Sequence, residues 1–271
     1  AQQSGTGPFG PQHYRGYHGL ARLPWFDLDA NGHLRCTDER VPLAIDIHAH
    51  LGMSLLFAPE VDLHAAPGRV RHLLDCGDDC DLDLDVYMNA NFTDADLCEL
   101  KWGAAAQLTW GSDAAATHTI PNLLAEMDAM RVQQATVLPI AFGLPFGDDL
   151  TDRWLDATLM ANARDRLIPG ASVHPTDPDR RAKLRDYAQR GTKIVKLHPA
   201  MQRFWPDIPA AMEVYDECGK LGLPILFHAG RAGIEPQYQH QFTVMRYYEP
   251  MLDAFPDTQF ILGHAGARDM A

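Results

Sequence analysis

Two histidines end the first apolar run of the chain. The run 43–52 is rich in aliphatic residues and places His48 and His50 two positions apart before it breaks at Gly52. Alternate side chains of a strand point to the same face, so the two imidazoles are expected to lie together. Two neutral imidazoles at the end of a buried strand can bind one divalent metal ion. The alternative interpretation is a pair of core histidines that are hydrogen-bonded to the backbone.

Further histidines occur at the same kind of position. Each follows a short apolar run and stands beside a Gly or Pro that turns the chain; they are His174, His198, His228 and His264. In α/β barrels the carboxyl ends of the strands lie at one face, and active sites are built there. The recurrence therefore predicts a histidine-rich site at that face.

From residue 119 onward, helical patterns alternate with apolar strands. Thr119 is a candidate helix N-cap, and Gly191 and Gly222 are candidate helix ends. Helices are predicted at 121–130, 149–164, 177–190, 209–221 and 239–255, and strands at 135–141, 167–173, 193–198, 224–228 and 259–262, in addition to the first run. Such an alternation predicts a parallel sheet covered by helices. The expected fold is an α/β, (β/α)8 TIM barrel that is truncated after strand six in this sequence, because a closed barrel has eight strands.

Two stretches lie outside this alternation. Residues 1–42, rich in Gly, Pro, Tyr and His, are predicted to form an N-terminal arm on the barrel at 43–271. Residues 53–118 are too long for an idle loop and predict an inserted, partly helical excursion over the mouth of the barrel. An alternative for this excursion is a structural zinc site that combines His72, Cys76, Cys80 and Cys98.

Composition restricts the partners. The 271 residues are 46% hydrophobic and 22% charged, and no apolar run is long enough to span a bilayer, which argues against a membrane. The net charge of -13 argues against nucleic acid. A small-molecule substrate is expected, and a homo-oligomer is compatible with the sequence. The five cysteines favour a reducing, cytoplasmic compartment; export with loss of a signal peptide is the alternative, because the chain begins with Ala1.

Four motifs together resemble the amidohydrolase superfamily of metal-dependent barrels. Within it, they are similar to the branch that includes amino-carboxymuconate-semialdehyde decarboxylase and gamma-resorcylate decarboxylase. The motifs are Asp46-Ile47-His48-Ala49-His50-Leu51-Gly52, Lys196-Leu197-His198-Pro199, Pro224-Ile225-Leu226-Phe227-His228-Ala229-Gly230 and Ile261-Leu262-Gly263-His264-Ala265-Gly266. They follow the order of the family, whereas residues 1–40 and 53–118 do not match it.

The resemblance implies a ligand set and a catalytic residue. His48, His50 and His228 would bind one divalent metal ion, zinc in the first place with manganese as the alternative, and His264 would act on the reacting group or its water. Three neutral imidazoles leave a position for water, whose pKa the cation lowers. In the family an aspartate after strand eight is the last ligand and general base. This sequence offers no counterpart, and Asp269 is not taken as one.

Three more residues are candidates for the same site. Lys196 resembles a lysine that is carboxylated and bridges two metals in dihydroorotase-like members. Pairing with a carboxylate, or binding of an acidic substrate, is the favoured expectation because an unpaired buried ammonium is costly. His198 is a weaker candidate for bridging or substrate binding. Arg231 would lie at the rim and hold a substrate carboxylate, or form an ordinary salt bridge.

Residues and resemblance together predict an enzyme. The favoured activity is a metal-dependent hydrolase that cleaves a C–O or C–N bond, in a lactone, ester or amide of a small molecule that could carry a carboxylate, through metal-activated water. A non-oxidative decarboxylase of an aromatic or unsaturated acid is the alternative within enzymes. A catalytically inactive barrel that acts as a binding module is the alternative from another class.

Overall fold

A six-stranded parallel sheet is the centre of the computed structural model, which describes residues 6–7, 10–11, 13–71, 80–84, 86 and 88–267. The strands are β1 (Ala44–Ala49), β2 (Val132–Val137), β3 (Leu167–Ala171), β4 (Ile194–Leu197), β5 (Ile225–His228) and β6 (Phe260–Gly263). They lie in sequence order, and every neighbouring pair is parallel. This arrangement confirms the predicted barrel architecture over its first six strands.

Helices join the strands. They are α1 (Asp94–Trp110), α2 (Ile120–Ala129), α3 (Leu150–Met160), α4 (Arg180–Arg190), α5 (Pro199–Gln202), α6 (Pro209–Leu221) and α7 (Glu249–Ala254). The Thr119 side chain accepts the Asn122 N–H, and the helix ends at Gly191 and Gly222 are left-handed, with φ of 116° and 66°. These three helix-boundary predictions are therefore confirmed. The two glycines end their helices because glycine adopts positive φ without a steric penalty.

Strand side chains alternate between the helices and the inner face of the sheet. On β5, Ile225 and Phe227 pack among the residues buried under the helices. Leu226 instead joins Leu138 and Ile194 in a small apolar cluster of its own. Because the period of a strand is two residues, His228 shares the face of Leu226. Alternation thus places polar groups at the carboxyl end of the inner face.

Two predicted elements differ in the structure. The helix expected at 239–255 is replaced by 3-10 turns at Gln237–Thr243 and Met245–Tyr247, followed by α7. Val244 between the turns is extended, with φ of -66° and ψ of 122°, and Pro250 restarts the helix because its ring suits a first turn. The strand expected at 135–141 ends at Val137, shortly before Pro139, which has no N–H for the ladder.

The arm and the excursion contain short strands that the sequence did not indicate. Antiparallel pairs join Thr6–Gly7 to Gly10–Pro11 and Phe26–Leu28 to Leu34–Cys36. A third pair joins His13–Arg15 of the arm to Asp81–Asp83 of the excursion. Further 3-10 turns occupy His18–Arg22, Met88–Asn91, Ala115–Thr117 and His264–Gly266.

The alternative zinc site in the excursion is not supported. Cys80 takes part in a disulfide, and Cys98 is a free, exposed thiol. Thiolate ligands have to be reduced and close together to bind zinc. The other two members of that prediction, His72 and Cys76, lie outside the described residues.

Within the described part of the chain, no helix combines the length and apolarity needed to cross a membrane.

Candidate active site

Four of the strand-end histidines meet at the carboxyl edge of the sheet. The ring centroid of His48 lies 5.0 Å from that of His50 and 4.8 Å from that of His264, and His264 lies 4.7 Å from His228. These residues come from β1, β5 and the end of β6, separated by up to 216 positions in sequence. The structure therefore brings together the three predicted metal ligands and the predicted catalytic histidine.

A backbone hydrogen bond sets the tautomer of His50. Its Nδ1 lies 2.7 Å from the carbonyl oxygen of Leu138, just beyond β2, and only an Nδ1–H can donate to a carbonyl. Burial, followed by the charge of Lys196, lowers the pKa of His50 to about 3. The ring is therefore neutral near pH 7, with its Nε2 lone pair open. This is the form in which an imidazole binds a metal ion.

A buried lysine is hydrogen-bonded to the Nε2 of His48. The Lys196 side chain is fully buried, and its Nζ lies 3.0 Å from His48 Nε2. Burial lowers the pKa of Lys196 to about 7, and burial and this lysine together lower the pKa of His48. Among the described residues, the lysine bonds to an imidazole and not to the carboxylate that was expected.

His228 has an unsatisfied nitrogen. Its residue is 6% exposed, and its Nε2 is buried without a hydrogen-bond partner in the described part of the chain. Burial, then Lys196, lowers the pKa of His228, so the ring is neutral. Leaving a buried nitrogen unpaired costs free energy, so the His228 Nε2 is a candidate to bind a ligand. The His228 carbonyl is held by the Tyr248 hydroxyl at 3.3 Å.

The chemical type of the side chains favours a metal ion at this site, whereas their positions do not. Neutral imidazoles at His48, His50 and His228, with the orphaned Nε2 of His228, are the donors that zinc and manganese accept. In position, no group of three His, Cys, Asp or Glu side chains in the described ranges is placed to hold an ion. The hydrogen bond from Lys196 to His48 is a physical reason, since it takes up one of the three lone pairs.

The backbone at His264 is strained. Its φ of 59° is left-handed, which is uncommon for a residue with a side chain. The neighbouring strand, β5, is followed by a turn at Gly230, where φ is 80°. Gly230 packs closely against the carbonyl of Gly266. Such strain persists where the surrounding structure enforces it, often at functional sites. Burial lowers the pKa of His264, so the half-buried ring is neutral and can accept a proton.

A cavity of about 640 Å³ opens onto the histidines. Most of its wall is apolar and comes from residues such as Met53, Ile140, Phe142, Met201 and Ile234. Such a wall suits a small organic molecule, whose orientation is then fixed by a few polar groups.

The excursion contributes to this cavity. Leu108 and Gln107 of α1 line it, as does Asn89, whose Nδ2 donates to the Ala232 carbonyl at 2.9 Å. Ala232 follows β5, so the hydrogen bond ties the excursion to the loop beside His228. The described part of the excursion therefore contributes to the site.

Of the three other strand-end candidates, only His198 lines this cavity. His174 is not among the residues that line this cavity; its Nε2–H donates to the Gln202 carbonyl at 2.7 Å, which is a structural role. His198 lines the cavity and stacks on His228, with ring centroids 4.0 Å apart and planes 7° apart. Arg231 is exposed, pairs with Ala267 in a β-bridge and does not line the cavity. Its role as a carboxylate clamp stays a prediction.

Two polar residues outside the predicted set act here: Glu235 lines the cavity, and Gln202 contacts His198 without lining it. Glu235 has the only carboxylate among the described residues that line the cavity, and it accepts the N–H groups of Ala232 and Ile234 at 2.8 and 3.0 Å. Gln202 is 1% exposed and hydrogen-bonds to the backbone at the ends of three strands. Neither belongs to a motif, so no sequence signal marked them.

Six parallel strands in sequence order, joined by helices, place this chain in the class of α/β barrel proteins. The family model for amidohydrolases matches residues 45–270, and this chain belongs to that family. The resemblance found in the four motifs is thereby confirmed. A comparison with curated proteins gave no match.

Several solved structures are similar to this chain. An uncharacterised TIM-barrel protein from Bordetella bronchiseptica is 18% identical over 57% of this chain and 54% of its own, with a TM-score of 0.45. A 5-carboxyvanillate decarboxylase from Novosphingobium aromaticivorans with bound manganese is 20% identical over 53% and 49%, with a TM-score of 0.44. A 2,6-dihydroxybenzoate decarboxylase from Rhizobium is 19% identical over 54% and 56%, with a TM-score of 0.43. The chain spans about half the length of these structures.

Proposed function

We propose that this chain provides the catalytic centre of a metal-dependent hydrolase that cleaves a C–O or C–N bond of a small molecule, in a lactone, ester or amide. The observation that carries the proposal is the convergence of His48, His50, His228 and His264 within 5.0 Å between neighbouring ring centroids, at the floor of an apolar cavity. Membership of the amidohydrolase family supports it.

The roles of the residues follow from their environments. His48, His50 and His228 would hold one divalent metal ion, zinc or manganese, which when bound supplies Lewis-acid activation of water and of the scissile group. His50 is held ready by its bond to the Leu138 carbonyl. His264, neutral and facing the other rings, accepts a proton from the attacking water and returns it to the leaving group.

A decarboxylase of an aromatic or unsaturated acid is the second candidate. The apolar wall of the cavity would accommodate the hydrocarbon ring or chain of such an acid. In that case the histidine end of the cavity would bind the carboxylate, and His264 would take up a proton from water and pass it to the carbon that loses carbon dioxide.

Product analysis of metal-loaded protein separates these functions. The protein, loaded with zinc or with manganese, is incubated with lactones, amides and aromatic carboxylic acids while acid release and carbon dioxide release are followed. Acid release from a lactone or amide, lost in His264→Asn with the metal retained, is the expected result. Carbon dioxide release instead establishes the decarboxylase. Metal below about a tenth of an equivalent, with no turnover, overturns both and leaves the binding module.

The disulfide at Cys80 bears on the compartment. Disulfides persist in oxidising environments, so it supports the exported alternative over the cytoplasmic expectation.

A further inference from the structure

We propose that His198 is a substrate-binding hydrogen-bond donor through its Nε2–H, and that Gln202 is the positioning residue that fixes this ring. The inference rests on the proposed function of the cavity. Its ligand is the oxygen of a carboxylate or carbonyl group, which bears negative charge before or during the reaction.

A hydrogen bond from the backbone determines the tautomer of His198. The N–H of Met201 donates to His198 Nδ1 at 3.3 Å. A nitrogen that accepts a hydrogen bond has a lone pair and no proton, so the proton of the neutral ring is on Nε2. His50 has the opposite arrangement, because its Nδ1–H donates and its Nε2 is open. The two rings are therefore suited to different partners: a metal ion at His50 and an oxygen acceptor at His198.

The Nε2–H of His198 is available to a ligand. His198 lines the cavity, and no described residue accepts a hydrogen bond from its Nε2. The opposite edge of the ring is taken up by the α5 turn through Met201. Stacking on His228, with planes 7° apart, fixes the orientation of the ring beside a predicted metal ligand. The free donor thus lies next to the histidines at which the reaction is proposed to occur.

Gln202 holds this arrangement in place. Its Oε1 accepts the His198 N–H at 2.7 Å, and its own N–H donates to the His198 carbonyl at 2.8 Å. Its Nε2 donates to the carbonyls of Ala141 at 2.7 Å and Val173 at 2.9 Å. The amide therefore joins the chain beyond β2 and beyond β3 to the end of β4. Since every polar atom of this buried side chain is satisfied, the clamp is specific for glutamine.

The tautomer itself can be measured on the wild-type protein. Long-range proton–nitrogen correlation spectra of protein labelled at histidine nitrogens, recorded as purified and after chelation of metal, assign the proton of each ring. The expected result is Nε2–H at His198 in both samples and a shift of that signal when benzoate is added as the probe. A proton on His198 Nδ1, or no change at Nε2 with benzoate, overturns the proposal.

Variants test the donor and its support. His198→Phe keeps a ring to stack on His228 but removes the donor, and is expected to weaken benzoate binding about tenfold. Gln202→Met is expected to populate both His198 tautomers and to weaken benzoate binding. Gln239→Met, a buried glutamine that does not line the cavity, is the matched control and should leave both readouts unchanged. Benzoate binding to His198→Phe at wild-type strength overturns the proposal.

These measurements do not depend on turnover. A protein that retains no metal and cleaves nothing would refute the proposed function, yet the tautomer and the benzoate affinity of its chelated form would still be decided.

Discussion

Replacing Lys196 by methionine is expected to raise the affinity of the histidine cluster for a divalent metal ion. The Lys196 side chain is fully buried and donates to His48 Nε2 at 3.0 Å. A metal ion that binds this nitrogen has to break that bond and to lie close to an amino group whose pKa is about 7, so that the group is charged in about half of the molecules at neutral pH. Methionine is unbranched and of similar length, so it fills the space without donating or repelling.

The hydrogen bond sets the size of the effect. A hydrogen bond to a charged group contributes about 1.5–3 kcal/mol, and about 1.4 kcal/mol corresponds to a tenfold change in affinity. Loss of the bond from Lys196 is thus expected to tighten zinc or manganese binding about 10- to 150-fold. Repulsion between the ammonium and the metal ion adds to this figure wherever the lysine is charged.

Titration calorimetry of chelated protein with zinc and with manganese measures the change. Lys220→Met is the matched control, because Lys220 is a surface lysine that pairs with Asp216 at 2.7 Å, away from the histidines. The metal affinity of Lys220→Met should equal that of the wild-type protein. Circular dichroism of each variant checks that the fold is retained.

A fall in metal affinity in Lys196→Met would refute the reasoning. It would mean that the lysine supports metal binding, as the bridging carboxylated lysine implied by the family resemblance would. An intact mass that shows carbon dioxide added to the wild-type chain would identify that case.

Two further changes probe the backbone and the buried imidazoles. Gly230→Ala is expected to destabilise the protein by more than about 2 kcal/mol in chemical denaturation, because φ there is 80° and the new methyl group collides with the Gly266 carbonyl. Gly32→Ala is the control, since Gly32 has a similar φ of 79° but open space around it. It should show only the smaller cost of the unfavourable dihedral angle. Acidification of metal-free protein is expected to lower the free energy of unfolding between pH 6.5 and about 3, because burial lowers the His50 pKa from 6.5 to about 3 and the unfolded chain alone binds that proton. His50→Asn should reduce the slope of stability against pH by one proton in that interval, and an unchanged slope would contradict the assignment.

Local sequence signals predicted the barrel elements well where one strong signal acted alone. The left-handed helix ends at Gly191 and Gly222 follow from the conformational freedom of glycine, and the strands follow from apolar runs bounded by turn residues. The helix expected at 239–255 failed because its periodicity looked continuous, whereas Val244 and Pro250 divide it. Short strands in the arm escaped notice because two or three residues give no period.

The site divides in the same way. The sequence by itself determined that histidines reach the carboxyl edge of the sheet, because they stand where strands end and the chain turns. The same signal also selected His174, which the structure places outside the cavity. Only the tertiary structure decided what each nitrogen does. The partners that select a tautomer are backbone groups and a lysine from distant strands: the Leu138 carbonyl for His50, and Lys196 for His48.

The same holds for the residues without a motif. Gln202 acts through hydrogen bonds to the ends of three strands, and Asn89 acts through one to a loop 143 positions away. Hydrogen bonds of this kind depend on distances of about 3 Å that only folding creates. The first apolar run therefore predicted a pair of histidines at one strand end. Only the folded structure shows that the Nε2 of His50 is open and that the Nε2 of His48 is hydrogen-bonded to Lys196.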